Sequence, residues 1–146
     1  MLCNGSVVTS TPGDDTLTGS MGVDFFKWNL GDQGTVGNSA NDLVKDFSIA
    51  QGDSLDLRDL LTGEHNGSAD GLANNLTSYL YFEKSSSGTD TIISISTSGD
   101  FKTGFDSAKV DQTITLEQVV VDVIVTATQL QMIDDLMKQP VIKVVL

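Results

Sequence analysis

Cations are scarce in this chain: 8 Lys and Arg stand against 20 Asp and Glu over 146 residues, a formal net charge of −12. No cluster of Lys or Arg exists to release counterions, which excludes a nucleic-acid phosphate backbone as partner and makes other polyanions poor ligands. Histidine is rarer still. The single His65 lies in the polar stretch GEHNGS, and without a Ser-His-Asp set nucleophilic catalysis has little footing, so no enzyme is expected. The lone Cys3 can form no internal disulfide and excludes a zinc-finger scaffold. Long apolar runs are also missing. None approaches the length of a membrane span, which argues against stable membrane insertion, and the N-terminus lacks the basic, apolar and small-residue layout of a secretory signal. If the domain leaves the cell, something else must direct it.

Glutamate is scarce as well, since 17 of the 20 acids are Asp. Short carboxylates beside glycine suit tight turns and oxygen-ligand cation sites, and calcium is the first cation to test. The length suits one domain, residues 1–146, and the 14 glycines imply many turns.

The chain punctuates like a β protein with one late helix. DFFKWNL (24–30), DLVKDFSI (42–49), YLYFEK (79–84), TIISIST (91–97) and QTITLEQVVV (112–121) carry β-branched and aromatic residues between Gly, Asn, Asp and Ser turns. Thr126 and Gln129 can form a capping box, and Leu130, Ile133, Leu136 and Met137 recur at helical spacing until Pro140, which predicts a helix over 126–139. A shorter helical turn is expected in LRDLLTG, where Leu57, Leu60 and Leu61 share a face. The terminal VIKVVL reads as a final strand or as a tail that another protein grips. Residues 31–41 and 63–75 read as loops within the domain.

A period of nine organises the N-terminal part. Gly13, Asp15 and Leu17 are followed nine residues later by Gly22, Asp24 and Phe26. The calcium-binding nonapeptide is Gly-Gly-x-Gly-x-Asp-x-apolar-x. Residues 19–27 match it at Gly19, Gly22, Asp24 and Phe26, with Ser20 in place of the second glycine; residues 10–18 are a degenerate copy. In such a unit a Gly-rich turn folds its carbonyl oxygens inward and the Asp adds a charged oxygen for a hard cation. Leu17 and Phe26 are then core, and Asp15 and Asp24 face metal. A Gly-Asp turn before a strand occurs in any Gly-rich β protein, so spacing alone leaves both readings open.

The order of DDTLTGSMGVDFFKWNLGDQGT, NDLVKDFSIAQGDSLDLRDLL, NLTSYLYFEKSSSGTDTIISIST and DQTITLEQV resembles the C-terminal domain of large RTX adhesins exported by type I secretion. The resemblance runs from about Gly13 to the C-terminus. It implies a mainly β fold: a short calcium-binding β-roll, parallel β-helix-like, leading into a β-sandwich-like cap with one C-terminal α-helix. On that layout residues 10–30 hold the degenerate repeats, 31–125 the β-rich cap and 126–146 the helix and secretion-signal tail. It further implies Ca2+ as cofactor, with Asp15 and Asp24 as roll aspartates and Gly13, Gly19 and Gly22 at turn positions. Asp14, Asp42, Asp46, Asp53 and Asp56 are additional candidate ligands, the last two equally readable as parts of a turn and strand. Ile133, Leu136, Val141, Ile142, Val144, Val145 and Leu146 would carry the uncleaved export signal. The implied partners are a type I ATP-driven transporter, met by the unfolded chain, and upstream RTX repeats of the same protein. The implied location is outside, or on the surface of, a Gram-negative bacterium. Same-side turns in this repeat lie about eighteen residues apart, and the two copies fall on opposite sides. A metal site would then draw on upstream repeats or on the Asp42–Asp56 segment. Two alternatives stay open: the export domain of a secreted hydrolase, and a calcium-dependent carbohydrate-binding module using Trp28, Tyr79 or Tyr81. Aromatics at strand positions are more often core, and core is the expectation for Trp28.

Overall fold

The computed structural model describes residues 5–61 and 77–119, together with the backbone of Ile142 and Lys143. The expected helix over 126–139, the loop over 63–75 and His65 lie outside the described residues. Among the described residues the fold is mainly β, with no α-helix.

Among the described residues nine strands form two sheets. In chain order they are β1 (Val7–Thr9), β2 (Thr16–Thr18), β3 (Phe25–Lys27), β4 (Ala40–Lys45), β5 (Ser54–Asp56), β6 (Leu80–Lys84), β7 (Thr91–Ile95), β8 (Gln112–Leu116) and β9 (Ile142–Lys143). The first sheet has the order β1-β3-β5-β9 and the second β2-β4-β8-β7-β6. Successive strands from β1 to β5 thus alternate between sheets, and each pairs in parallel with the strand two places on. The chain winds as a coil. A ribbon of β6, β7 and β8 then extends the second sheet with antiparallel pairs, while β8 itself lies parallel to β4.

The apolar spacing explains the winding. A three-residue strand sends its middle side chain to one face and the flanking two to the other, and in β2 and β3 the middle residue is Leu17 or Phe26, both buried. Register stacks Val8 on Phe26 and Phe26 on Leu55 in one sheet, and Leu17 on Val44 and Val44 on Leu116 in the other. The two columns meet in one core. Burying a side chain such as Phe26 or Leu55 contributes about 1.5–3 kcal/mol. Trp28, Phe47, Leu57, Leu60, Leu80, Phe82, Ile93, Ile95 and Ile114 complete that core.

The turn glycines keep the same period as the sequence. Gly13 and Gly22 both have φ of 101°, and Gly31, nine residues further on, has 106°, a left-handed conformation that side chains with a Cβ rarely adopt. The Leu57–Leu61 stretch makes a single hydrogen-bonded turn, with Leu60 N and Leu61 N donating to Leu57 O, and its three leucines are buried. The terminal VIKVVL does contribute a strand, β9, whose Ile142 pairs with Leu55.

Candidate functional site

At the repeat turns the aspartates close backbone loops. Asp24 Oδ2 accepts Ser20 N at 2.7 Å and its Oδ1 accepts Ser20 Oγ at 2.8 Å. Nine residues earlier, Asp15 takes the same pair of donors from Thr11, N and Oγ1, each at 2.7 Å. Asp53 Oδ2 accepts Ser48 N at 2.8 Å. Ser20, which departs from the nonapeptide pattern, thus supplies two of the groups that hold Asp24. Gly19 is required for the same reason: a Cβ there would lie 2.7 Å from Asp24 Oδ2 and 3.0 Å from the Phe26 ring.

The second role of these carboxylates is to join one coil to the next. Asp24 Oδ1 accepts Ser6 N from the preceding coil at 2.8 Å, and Asp53 Oδ1 accepts Asp24 N at 2.8 Å. On the other side of the coil, Asp42 Oδ1 accepts Asp15 N at 2.8 Å, while Asp14 Oδ1 accepts Asn41 N at 2.8 Å. Asp42 Oδ2 further accepts Trp28 Nε1 at 2.6 Å and Gln112 Nε2 at 3.0 Å. Two ladders of carboxylate and amide therefore run along the coil. Asp24, Asp42 and Asp53 are 0%, 2% and 1% exposed. Burial pushes the Asp42 carboxyl above its ordinary value, against the lowering effect of the Trp28 hydrogen bond.

These buried groups fit a cation poorly. A carboxylate offers about four lone-pair sites, and Asp24 and Asp42 each already receive three donors. A cation placed there would face the same N–H groups. Asp56 is held in another way, by a bidentate pair from Arg58 at 2.8 and 2.7 Å, and that guanidinium keeps its carboxyl below the ordinary range. Among the described residues no three His, Cys, Asp or Glu gather into a metal cluster.

Further side-chain oxygens line a groove of about 620 Å³, bounded by Ser20, Asp46, Ser48, Gln51, Glu117 and Gln118 among others. It sits where the three adjacent parallel strands β2, β4 and β8 end. Thr18 pairs with Lys45, and Val44 with Leu116, so Asp46 and Gln118 leave their strands at the same level. They are also the only non-glycine residues with left-handed φ among the described residues, 63° and 59°. Such a conformation costs of order 1 kcal/mol and tends to cluster at functional sites. The Glu117 carboxylate is 4.0 Å from Lys45 Nζ. Two carboxylates with two side-chain amides make an oxygen-rich set that suits a hard cation.

The sequence-predicted residues thus separate. Asp15, Asp24, Asp42 and Asp53 join the ladders, Asp14 is exposed at a ladder edge, Asp56 pairs with Arg58, and Asp46 reaches the groove. Gly13 and Gly22 occupy the left-handed turn positions. Sequence reasoning passed over Glu117, Gln51 and Gln118, because only the β4–β8 pairing brings position 117 beside Asp46. Of the export-signal residues, Ile142 lies in β9; Ile133, Leu136, Val141, Val144, Val145 and Leu146 lie outside the described residues. Trp28 and Tyr79 are buried, whereas the Tyr81 ring stacks on Phe105 with centroids 4.0 Å apart.

The sequence matches no family model and no curated protein. Among the described residues no helix is long and apolar enough to cross a membrane.

Proposed function

We propose that this chain is a calcium-dependent folding and type I secretion-targeting domain, the C-terminal end of a larger RTX surface adhesin or exoprotein. The observation that carries the reading is the fate of the nine-residue unit. Each unit contributes one turn and one short strand, alternate units enter opposite sheets, and Ser6 meets Asp24 across an interval of 18 residues. Two units make one coil, which is the winding that a β-roll requires.

On this reading calcium acts at the groove, through the carboxylates of Asp46 and Glu117 and the amide oxygens of Gln51 and Gln118. The net charge of −12 adds a reason for the ion to matter, since carboxylates repel one another until a cation is bound. Binding energy then becomes folding energy, about 2.7 kcal/mol at a hundredfold excess over Kd. By its resemblance to the family, the domain would cross the transporter unfolded in calcium-poor cytoplasm and fold in millimolar calcium outside.

Calorimetry of chelated protein, with and without millimolar calcium, tests the cation. The expected rise in Tm is roughly 5–10 °C, and the Asp46→Asn, Glu117→Gln double variant loses most of it. An unchanged Tm in calcium sinks the assignment. Fusion of residues 67–146 to a passenger tests targeting: transporter-dependent secretion is expected, and its absence overturns the export role.

A further inference from the structure

β7 and β8 are antiparallel neighbours, and a hairpin of that kind closes with about two to five residues. Residues 96–111 join them instead, and a loop of that length inside a compact domain is usually functional. Hydrogen bonds hold it in place. Asp111 receives Thr97 N and Oγ1, Ser96 Oγ accepts Asp100 N at 2.9 Å, and Phe101 N donates to Ser78 O at 2.9 Å. Gly99 lies against the Tyr79 ring, where a Cβ would come within 2.8 Å. These ties fix Phe101, which is buried, and Phe105, which is 39% exposed and the one aromatic among the exposed large hydrophobics of the described residues.

Phe105 stacks on Tyr81 with centroids 4.0 Å apart and meets Phe101 edge-on at 5.2 Å. Beside these rings lies a recess of about 210 Å³, lined by Thr77, Leu80, Tyr81, Phe101, Lys102 and Phe105 among others. Pockets for drug-sized ligands begin at about 300 Å³, so this one takes a single ring. Among the described residues no carboxylate lines it, and a cation has no charged ligand there. Lys102 enters no ion pair among the described residues. Its acidic neighbours are engaged within the loop, Asp100 by Ser98 Oγ and Asp106 by Ala108 N.

We propose that this recess binds the pyranose ring of an acidic saccharide, a sugar that carries a carboxylate, as a uronic acid does. A pyranose has C–H bonds on its faces and hydroxyls round its edge. One face lies against the stacked Phe105 and Tyr81 rings, the edge meets the Thr77 and Tyr81 hydroxyls, and the Lys102 ammonium pairs with the carboxylate. An apolar side chain of a protein partner would cover the same rings but leave that ammonium without an acceptor. The net charge of −12 permits a single carboxylate here, because salt at physiological strength screens charges beyond about 8 Å. The site is separate from the calcium groove and does not rest on the export reading.

The test is a titration of the isotope-labelled full chain, read by amide chemical shifts, with methyl β-glucuronide and with methyl β-glucoside, each in calcium and in chelator. Saturable shifts confined to residues 77–81 and 100–106 are expected with both sugars, at the same Kd in either buffer. The glucuronide binds about threefold to fivefold more tightly, the contribution of one exposed ion pair. Phe105→Leu keeps the apolar bulk without the ring and weakens both sugars about tenfold. Lys102→Gln, a surface change that leaves the fold intact, spares the glucoside and brings the glucuronide to its level. Absence of saturable shifts overturns the proposal, as does binding that is undiminished in Phe105→Leu, is lost in chelator, or still favours the glucuronide in Lys102→Gln. Saturable shifts at the same residues with N-acetylphenylalanine amide and with neither sugar assign the recess to a protein partner and overturn it as well. The readout is independent of the calcium shift in Tm and of secretion, so either reading can fail alone.

Discussion

The coil of β1 to β5 and the ribbon of β6 to β8 both bury aliphatic columns, yet they satisfy their backbone amides by different means. Strands of the ribbon are five residues long and pair along their whole length, so the ladder between strands absorbs most donors. Strands β1, β2, β3 and β5 have three residues each, and between them long turns leave amides that no strand can accept. Buried aspartates take those amides. In the ribbon the buried Asp111 likewise receives Thr97 N at 3.0 Å and Thr97 Oγ1 at 2.6 Å at the loop joining β7 to β8, and the half-buried Asp90 receives Gln118 N at 2.9 Å. Short strands need carboxylates because their own pairing is too brief to satisfy the chain.

Substitution separates the two regions most sharply. Asp24→Ala removes the acceptor of three part-buried donors, Ser6 N, Ser20 N and Ser20 Oγ, and at about 1 kcal/mol for each lost hydrogen bond the expected loss is about 3 kcal/mol in urea denaturation. Ile93→Ala in the ribbon costs a similar amount, about 3 kcal/mol, through a cavity. Shape-preserving changes divide them. Asp24→Asn turns an amide hydrogen toward an N–H donor and is expected to cost about 2 kcal/mol, whereas Ile93→Val costs about 1 kcal/mol. If Asp24→Asn is as mild as Ile93→Val, the carboxylate is not what closes the coil.

Proton linkage gives two carboxylates of the coil opposite slopes. Asp42, raised above 3.8 mainly by burial, stabilises the fold most where it is protonated, and that contribution declines as pH rises through its folded value. Asp56, lowered below 3.8 mainly by the Arg58 hydrogen bonds, contributes fully above 3.8 and loses that contribution as pH falls through its folded value. Urea denaturation between pH 2 and 7 should therefore show the penalty of Asp42→Asn shrinking with rising pH and the penalty of Arg58→Ala growing. Parallel trends in the two variants break the assignment. The smallest effect belongs to the surface: Lys27, 3.3 Å from Asp59, is half-exposed, and Lys27→Ala should cost under about 0.5 kcal/mol.

Side chains made the core legible, and backbone atoms hid the rest. Leu17 and Phe26 are readable as inward residues because a period of nine repeats an apolar position, and Trp28 because aromatics beside a strand usually pack. Ile93 and Ile95 alternate with polar neighbours in TIISIST, although Ile92 breaks the strict pattern, and both are buried. The aspartate roles were not legible, since their donors are backbone N–H groups that every residue but proline carries. Asp24 next to glycine in a turn looks the same in sequence whether its oxygens meet a cation or Ser6 N. β1 escaped notice for a related reason: a three-residue strand shows one inward residue, Val8, and no period can be read from one. The groove required knowledge of which strand lies beside which, and nothing local in DLVKDFSI points to QTITLEQ as its neighbour.

The pairing also sets an order in time. β3 can find β1 as soon as one coil has formed, but the second neighbour of β4 is β8, with Ala40 opposite Gln112, and that of β5 is β9, with Leu55 opposite Ile142. Both sheets therefore wait on residues from the far end of the chain, and contacts of such long separation are slow to form because loop closure precedes any gain from pairing. Until then the early coils present two open edges, so the last residues to join decide when the domain becomes one cooperative unit.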